Sequence, residues 1–197
     1  VNMKVLVACE YSGTVRDAFI TKGHDAWSCD ILPCERGSDR HIQDDVLKHL
    51  HHGWDMVIAH PPCTYLSNSG VRHLHTDTSR WAKMRDGANF FKVFMDLSVA
   101  KVAIENPIIH KYAVEIIGRR QDQVIQPWMF GHPEQKATCL WLKGLPKLVE
   151  ECNVKEKMMR LPFKERNRIW FLGGKDRAKL RSKTFEGIAK AMATQWG

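Results

Sequence analysis

Cys63 stands behind Pro61 and Pro62, just past the apolar run Asp55–Ala59 and His60. Backbone freedom is low after two prolines, which suits a nucleophile that needs a fixed aim. Thiolate rather than thiol is the attacking species, so loop N–H groups and nearby positive charge are expected to lower the Cys63 pKa. Glu105-Asn106-Pro107 closes a second apolar run, Val102–Ile104, and an acid in that position asks for a partner. A third polar turn, Glu10-Tyr11-Ser12-Gly13, follows Met3–Ala8, and Gly13 allows a tight turn and close approach to a ligand. Asp30 ends the run Ala26–Cys29, where a carboxylate can accept from ribose hydroxyls. Asp44 or Asp45 follows His41–Gln43 and can hold an adenine amino group. Each residue also has an ordinary structural use: Cys63 as a small buried hydrophobe, Glu105 as a brace for a turn, Asp30 as a strand-end acid.

These residues fall at the ends of elements that can be read from apolar patterning. Met3–Ala8, Ala26–Cys29, His41–Gln43, Asp55–Ala59, Val99–Ile104, Thr138–Leu142 and Arg168–Leu172 read as strands. Thr14–Lys22 reads as a helix with Val15, Phe19 and Ile20 inward. Asp44–His51 reads as a helix capped by Asp44, and Arg80–Ser98, Ile109–Ile117 and Thr184–Trp196 as further helices. Residues 64–79 show no apolar period and read as a polar loop. Strands alternating with helices predict an α/β fold with a doubly wound, mostly parallel sheet in a single compact domain. In such sheets ligands sit beyond the carboxyl ends of the strands.

The chain has 197 residues, 44% of them hydrophobic, enough for one sizeable core. No run of about 18 apolar residues is present, so no membrane span is expected. The start lacks the basic-then-apolar pattern of a signal peptide, and a cytoplasmic location is expected. The cysteines at 9, 29, 34, 63, 139 and 152 form no Cys-x-x-Cys pair, so neither a disulfide framework nor a metal site is expected. The net charge is +8, and residues 155–183 hold eleven Lys or Arg against three acids, a surplus as large as that of the whole chain. A polyanionic partner is expected there, with Arg177, Lys179 and Arg181 as candidate backbone contacts. Trp170 and Phe171 interrupt these charges, as base-stacking rings or as part of a core strand.

Taken in order, the three loops resemble the catalytic domain of the DNA cytosine-C5 methyltransferases. The family's cofactor turn is similar to Cys9-Glu10-Tyr11-Ser12-Gly13. Its Pro-Cys loop, with a serine four residues on, is similar to Pro62, Cys63 and Ser67. Its Glu-Asn-Val loop is similar to Glu105, Asn106 and Pro107. The resemblance covers residues 3–107 and is modest over the closing helix. It implies a Rossmann-like methyltransferase fold that binds S-adenosylmethionine or a carboxylated derivative through Glu10 to Gly13, Asp30, Asp44 or Asp45, Pro62, Ser182 and Thr184. It further implies that Cys63 adds to cytosine C6, that Glu105 holds N3 and the N4 amino group, that Asn106 fixes the loop, and that Ser67 lies on the nucleic-acid side.

The departures are specific. The family's Gln-x-Arg-x-Arg stretch is matched only by Gln135-Lys136-Ala137-Thr138, so Lys136 is the candidate for the arginine's role, as a point charge rather than a fork. The usual target-recognition domain is missing. Residues 1–197 therefore read as a catalytic domain with a basic segment at 155–183, acting on DNA or a cytosine nucleotide, with specificity low or supplied by a separate protein. Transfer of a carboxymethyl group is an alternative, as is a noncatalytic nucleic-acid-binding module. A deaminase or synthase is a third reading, disfavoured by the lack of zinc-deaminase spacing.

Overall fold

Apolar residues at both faces make a strand that only a covered, parallel sheet can hold. Val5–Ala8 and Met56–Ala59 are such runs, and every one of these residues is fully buried. In the computed structural model, which describes residues 1–197, they form the centre of a seven-stranded sheet. Its strands are β1 (Lys4–Ala8), β2 (Asp25–Asp30), β3 (His41–Gln43), β4 (Met56–Ala59), β5 (Lys101–Asn106), β6 (Gln123–Ile125) and β7 (Thr138–Lys143). The order is β3-β2-β1-β4-β5-β7-β6. All pairings are parallel except those of β7, which runs antiparallel to β5 and β6. This is the Rossmann-like methyltransferase topology. The chain winds outward from β1 through β2 to β3, then returns to place β4 on the other side of β1. The crevice between the carboxyl ends of β1 and β4 is the switch point.

Helices cover both faces. On one lie α1 (Thr14–Thr21) and α9 (Glu186–Trp196), closing over Val5, Val7, Met56, Ile58 and Leu140. On the other lie α3 (Arg80–Met95) and α4 (Lys111–Ile117). Met84, Ala88, Phe91 and Phe94 recur at helical spacing along α3 and are its buried face. Phe91 meets Trp141 of β7 edge to face, with ring centroids 4.9 Å apart. Four short helices complete the chain: α2 (Arg72–Thr76), and on the basic segment α5 (Lys155–Arg160), α6 (Phe163–Arg166) and α7 (Arg168–Phe171). A fifth, α8 (Arg177–Ser182), precedes α9.

Several expectations are corrected. Arg168–Leu172 is not a strand: α7 buries only Ile169, and the edge of the sheet is occupied by β6, whose Gln123-Val124-Ile125 is too short to stand out. Asp44–His51 is not a helix but a single turn of 3-10 helix at Val46–Lys48, capped by Asp45 rather than Asp44, since Asp45 accepts from Leu47 N–H at 3.0 Å. Ile20 faces solvent. The 64–79 loop contains α2, anchored by the buried Leu74. The closing helix starts at Glu186, so Ser182 ends α8 instead of opening α9; its hydroxyl donates to the Lys179 carbonyl at 2.8 Å. Strand β5 starts and ends two residues later than the expected Val99–Ile104, which makes Glu105 and Asn106 its last two residues.

Gly187, in the first turn of α9, leaves no room for a side chain. A Cβ there would overlap the Phe130 carbonyl oxygen and crowd the His132 ring, while its N–H donates to His132 Nε2 at 2.9 Å. Gly187→Ala should destabilise the protein by about 2 kcal/mol, the usual scale of overpacking against fixed backbone. Gly173→Ala, with open space around it, should change stability by less than about 0.5 kcal/mol. Urea unfolding of the two variants beside the parent measures both.

Candidate active site

The pairing of β4 with β5 sets Ala59 opposite Ile104. The next residues on each strand, His60 and Glu105, therefore emerge side by side at the carboxyl edge. His60 Nδ1 donates to Glu105 Oε2 at 3.1 Å, and both side chains are about nine-tenths buried (9% and 10% exposed). The buried Thr184 hydroxyl donates to the same oxygen at 3.3 Å. Glu105 Oε1 accepts no hydrogen bond from the protein, so one carboxylate oxygen is free for another donor. Asn106 ties the two loops together: its Nδ2 donates to the Pro61 carbonyl at 2.8 Å. The Cys63 carbonyl in turn accepts from Leu66 and Ser67 N–H at 3.0 and 2.9 Å, closing a tight turn behind the thiol. Ser67 bridges to Ile109, which anchors that turn to the segment after β5.

Charge at this site departs from ordinary values. Burial pushes the Glu105 carboxyl up, but the His60 hydrogen bond and charge, then Lys136 and Thr184, outweigh it and hold it below the usual range. Burial pushes His60 down, and Glu105 and then Glu10 more than reverse this, so its pKa is raised. His60 Nε2 is buried without a hydrogen-bond partner. The Cys63 thiol corrects the sequence expectation. Burial is the largest influence and raises its pKa, with Glu105 adding to it, while Lys136 and Arg181 pull it down without prevailing. The free protein therefore holds a thiol beside two cations, rather than a standing thiolate. Lys136 Nζ donates to the Lys183 carbonyl at 3.3 Å, which fixes its charge between the β7 segment and the approach to α9.

The first turn is built differently from its sequence reading. Glu10 is buried and directed back into its own crossover: its carboxylate accepts from Val15 and Arg16 N–H at 2.6 and 3.2 Å and so caps α1. Gly13 adopts φ 73°, and a Cβ there would strike the Arg16 guanidinium. Arg16 is itself wholly buried and donates to Ser28 Oγ at 2.8 Å. Ser12 Oγ accepts from Thr14 N–H. Tyr11 is buried beneath α8: its hydroxyl donates to the Lys179 carbonyl at 2.6 Å, and Lys179 Nζ lies 4.9 Å from its ring. Asp30 is partly buried at the end of β2. Burial raises its pKa, and Leu32 N–H donates to its Oδ1 at 2.9 Å, leaving Oδ2 for a ligand. Asp44 is engaged by Lys48 and His49, at 2.8 and 3.0 Å.

The structure thus gathers Cys63, Glu105, Asn106, Lys136, Thr184 and Arg181 around the β4 and β5 ends, with Tyr11, Ser12, Gly13 and Asp30 along the neighbouring β1 and β2 ends. Pro62 is exposed between the two groups. Asp44, Asp45 and Ser182 have local structural partners instead. The residue that sequence reasoning passed over as a site member is His60. The available signal was alignment of the two apolar runs: pairing MVIA with VAI end to end puts the histidine beside the glutamate.

No protein-family model matches the chain, and no curated protein matches it. Among solved structures it is similar in fold to the Entamoeba histolytica methyltransferase EhMeth, with a TM-score of 0.51 and 14% identity over 78% of this chain and 58% of that one. The chain thus spans less than two thirds of that protein's length. At this identity the likeness is one of fold.

His60 and Glu105 make a pH-dependent contribution to stability. His60, held above its ordinary 6.5, contributes fully below 6.5, and this is lost as pH rises through the raised value. Glu105, held below its ordinary 4.5, contributes fully above 4.5, and this is lost as pH falls through the lowered value. The pair is worth most between the two. His60→Gln should therefore cost about 3 kcal/mol near pH 6, the scale for removing one partner of a buried pair. The deficit should shrink as pH rises through the raised His60 value. Denaturant unfolding across this range checks it, and a deficit that is flat with pH contradicts the ion pair.

Proposed function

We propose that this chain is an S-adenosylmethionine-dependent transferase that modifies C5 of cytosine in DNA or in a cytosine nucleotide, through a covalent bond from Cys63. The observation that carries the reading is the joint placement of thiol and carboxylate. Glu105 is fixed by His60 and Thr184 through one oxygen, with the other free, and Asn106 ties its strand to the loop bearing Cys63.

Cytosine C5 is a poor nucleophile until a group adds at C6. Cys63 Sγ forms that bond as the thiol loses its proton to solvent. Lys136 and Arg181 favour the thiolate that forms as this proton leaves, which offsets part of the cost of burying it. Glu105 Oε1 faces N3 and the N4 amino group, and N3 takes a proton supplied by the His60–Glu105 pair. Once C5 is substituted, water takes its proton, the C5–H electrons restore the C5–C6 double bond, Cys63 leaves with the C–S electron pair and regains a proton from solvent, and the N3 proton returns to the pair. In duplex DNA the base has first to leave the stack.

The β1 and β2 ends would hold the cofactor. The Arg16 guanidinium fills the space where a Gly13 side chain would stand, Asp30 Oδ2 suits a ribose hydroxyl, and Pro62 lies next to Cys63. The cofactor supplies an electrophilic methyl carbon, or a carboxymethyl carbon if it is the carboxylated derivative. Glu10, which caps α1, shapes this turn from below rather than contacting a ligand.

Transfer of radiolabel from S-adenosylmethionine to a cytosine-containing single strand tests the roles of the two groups. Cys63→Ala should abolish transfer with the fold intact. Glu105→Gln should lower it about 10²-fold or more, since acid–base contributions reach that size. Transfer by Cys63→Ala at the parent rate would remove the C5 mechanism and favour a different acceptor atom.

A further inference from the structure

Aromatic side chains are normally the core's largest contributors, and most in this chain are buried or half-buried. The exposed ones are Phe163, Trp170 and Phe171, which are 56%, 65% and 50% exposed and lie within nine residues on α6 and α7. They meet one another rather than the core. The Trp170 and Phe171 rings lie 6.2 Å apart at 26°, and Phe163 stands edge-on to Phe171 at 6.1 Å. The Arg166 guanidinium lies 5.6 Å from the Phe163 ring.

The surroundings are cationic. Among the eleven basic residues of 155–183, Arg160, Arg168 and Lys183 are ion-paired, with Glu156, Glu134 and Glu35. Lys157, Lys164, Lys175, Arg177 and Lys179 are exposed and have no acidic partner. The lobe is also fastened to the candidate site. Gln135 N–H donates to the Arg166 carbonyl at 2.6 Å, Arg168 pairs with Glu134 at 3.0 Å, and Lys136 follows Gln135. Beyond α7, α8 carries Arg181, whose charge is felt at Cys63.

Exposed flat rings, among unpaired cations and fastened to the segment that bears Lys136, match one kind of partner. Phosphates satisfy the cations, and unpaired bases stack on the rings. A duplex offers the phosphates but hides its base faces inside the stack, so it cannot use the rings without opening. We infer that Phe163, Trp170 and Phe171 form a stacking platform for an unpaired nucleic-acid strand. This deepens the proposed function by naming the form of its substrate. The platform is read by binding alone, so it and the C5 chemistry can fail separately.

Fluorescence anisotropy with labelled oligo(dT), oligo(U) and a hairpin duplex of equal phosphate number tests it, across a salt series. The parent should prefer the single strands. Trp170→Ala should weaken their binding about 10-fold, with the duplex and the slope of log affinity against log salt unaffected. The Lys164→Gln, Lys175→Gln double variant should reduce that slope for every ligand. The two single strands distinguish DNA from RNA as the preferred source of bases. Because Trp170 is at the surface, circular dichroism should show an unaltered fold. Equal affinity of Trp170→Ala and parent for both single strands would overturn the platform, as would an equal loss on the duplex. Trp170-dependent binding to anionic lipid vesicles, with none to oligonucleotides, would also overturn it in favour of a membrane surface. Single-strand binding that needs Trp170, in a protein without transfer activity, would uphold the platform and sink the C5 reading.

Discussion

The register between β4 and β5 is the constraint on which the site rests. Parallel pairing of Ala59 with Ile104 sends His60 and Glu105 out of the sheet together, into a region too buried for either to stay charged alone. Their hydrogen bond answers that cost for both. From it follow the orientation of the glutamate, the one carboxylate oxygen left free, and the raised pKa of the histidine. Asn106, one residue further, holds the Pro61 carbonyl and thereby sets the loop that aims Cys63. A shift of one residue in this pairing would turn each of these side chains to the other face of the sheet.

Much of the fold was legible because its central strands are apolar throughout and its helices keep a helical period. The polar turns at their ends followed from that, and with them Cys63, Glu105 and the Glu10–Gly13 turn. What was not legible depends on partners distant in sequence. His60 becomes a site residue only through strand register. Glu10 resembles a cofactor ligand until its carboxylate is found on the N–H groups of Val15 and Arg16. Arg168–Leu172 is an apolar run of strand length, yet the place at the sheet edge went to the three-residue β6, and Trp170 was left in solvent. The Cys63 pKa was misjudged because its loop buries the thiol more strongly than the nearby cations can offset.

The late part of the chain does two things at once. Lys136 and Arg181 bring positive charge to the cysteine from the β7 approach and from α8, while the stretch between them carries the exposed rings and unpaired cations. That stretch is fastened to the segment before β7 through Glu134 and Gln135. Tyr11 links α8 to the first turn in the same way, through the Lys179 carbonyl.

The central claim is that Cys63 and Glu105 act on opposite sides of one pyrimidine ring. Fluorine in place of hydrogen at C5 blocks the proton loss that releases the enzyme, so a single strand carrying 5-fluorocytosine tests it most directly. Incubated with the protein and S-adenosylmethionine, then denatured and digested, it should yield one peptide carrying the nucleotide, and tandem mass spectrometry should put the bond on Cys63. An adduct on any other residue, or no adduct from a protein that still methylates unfluorinated cytosine, would contradict the account.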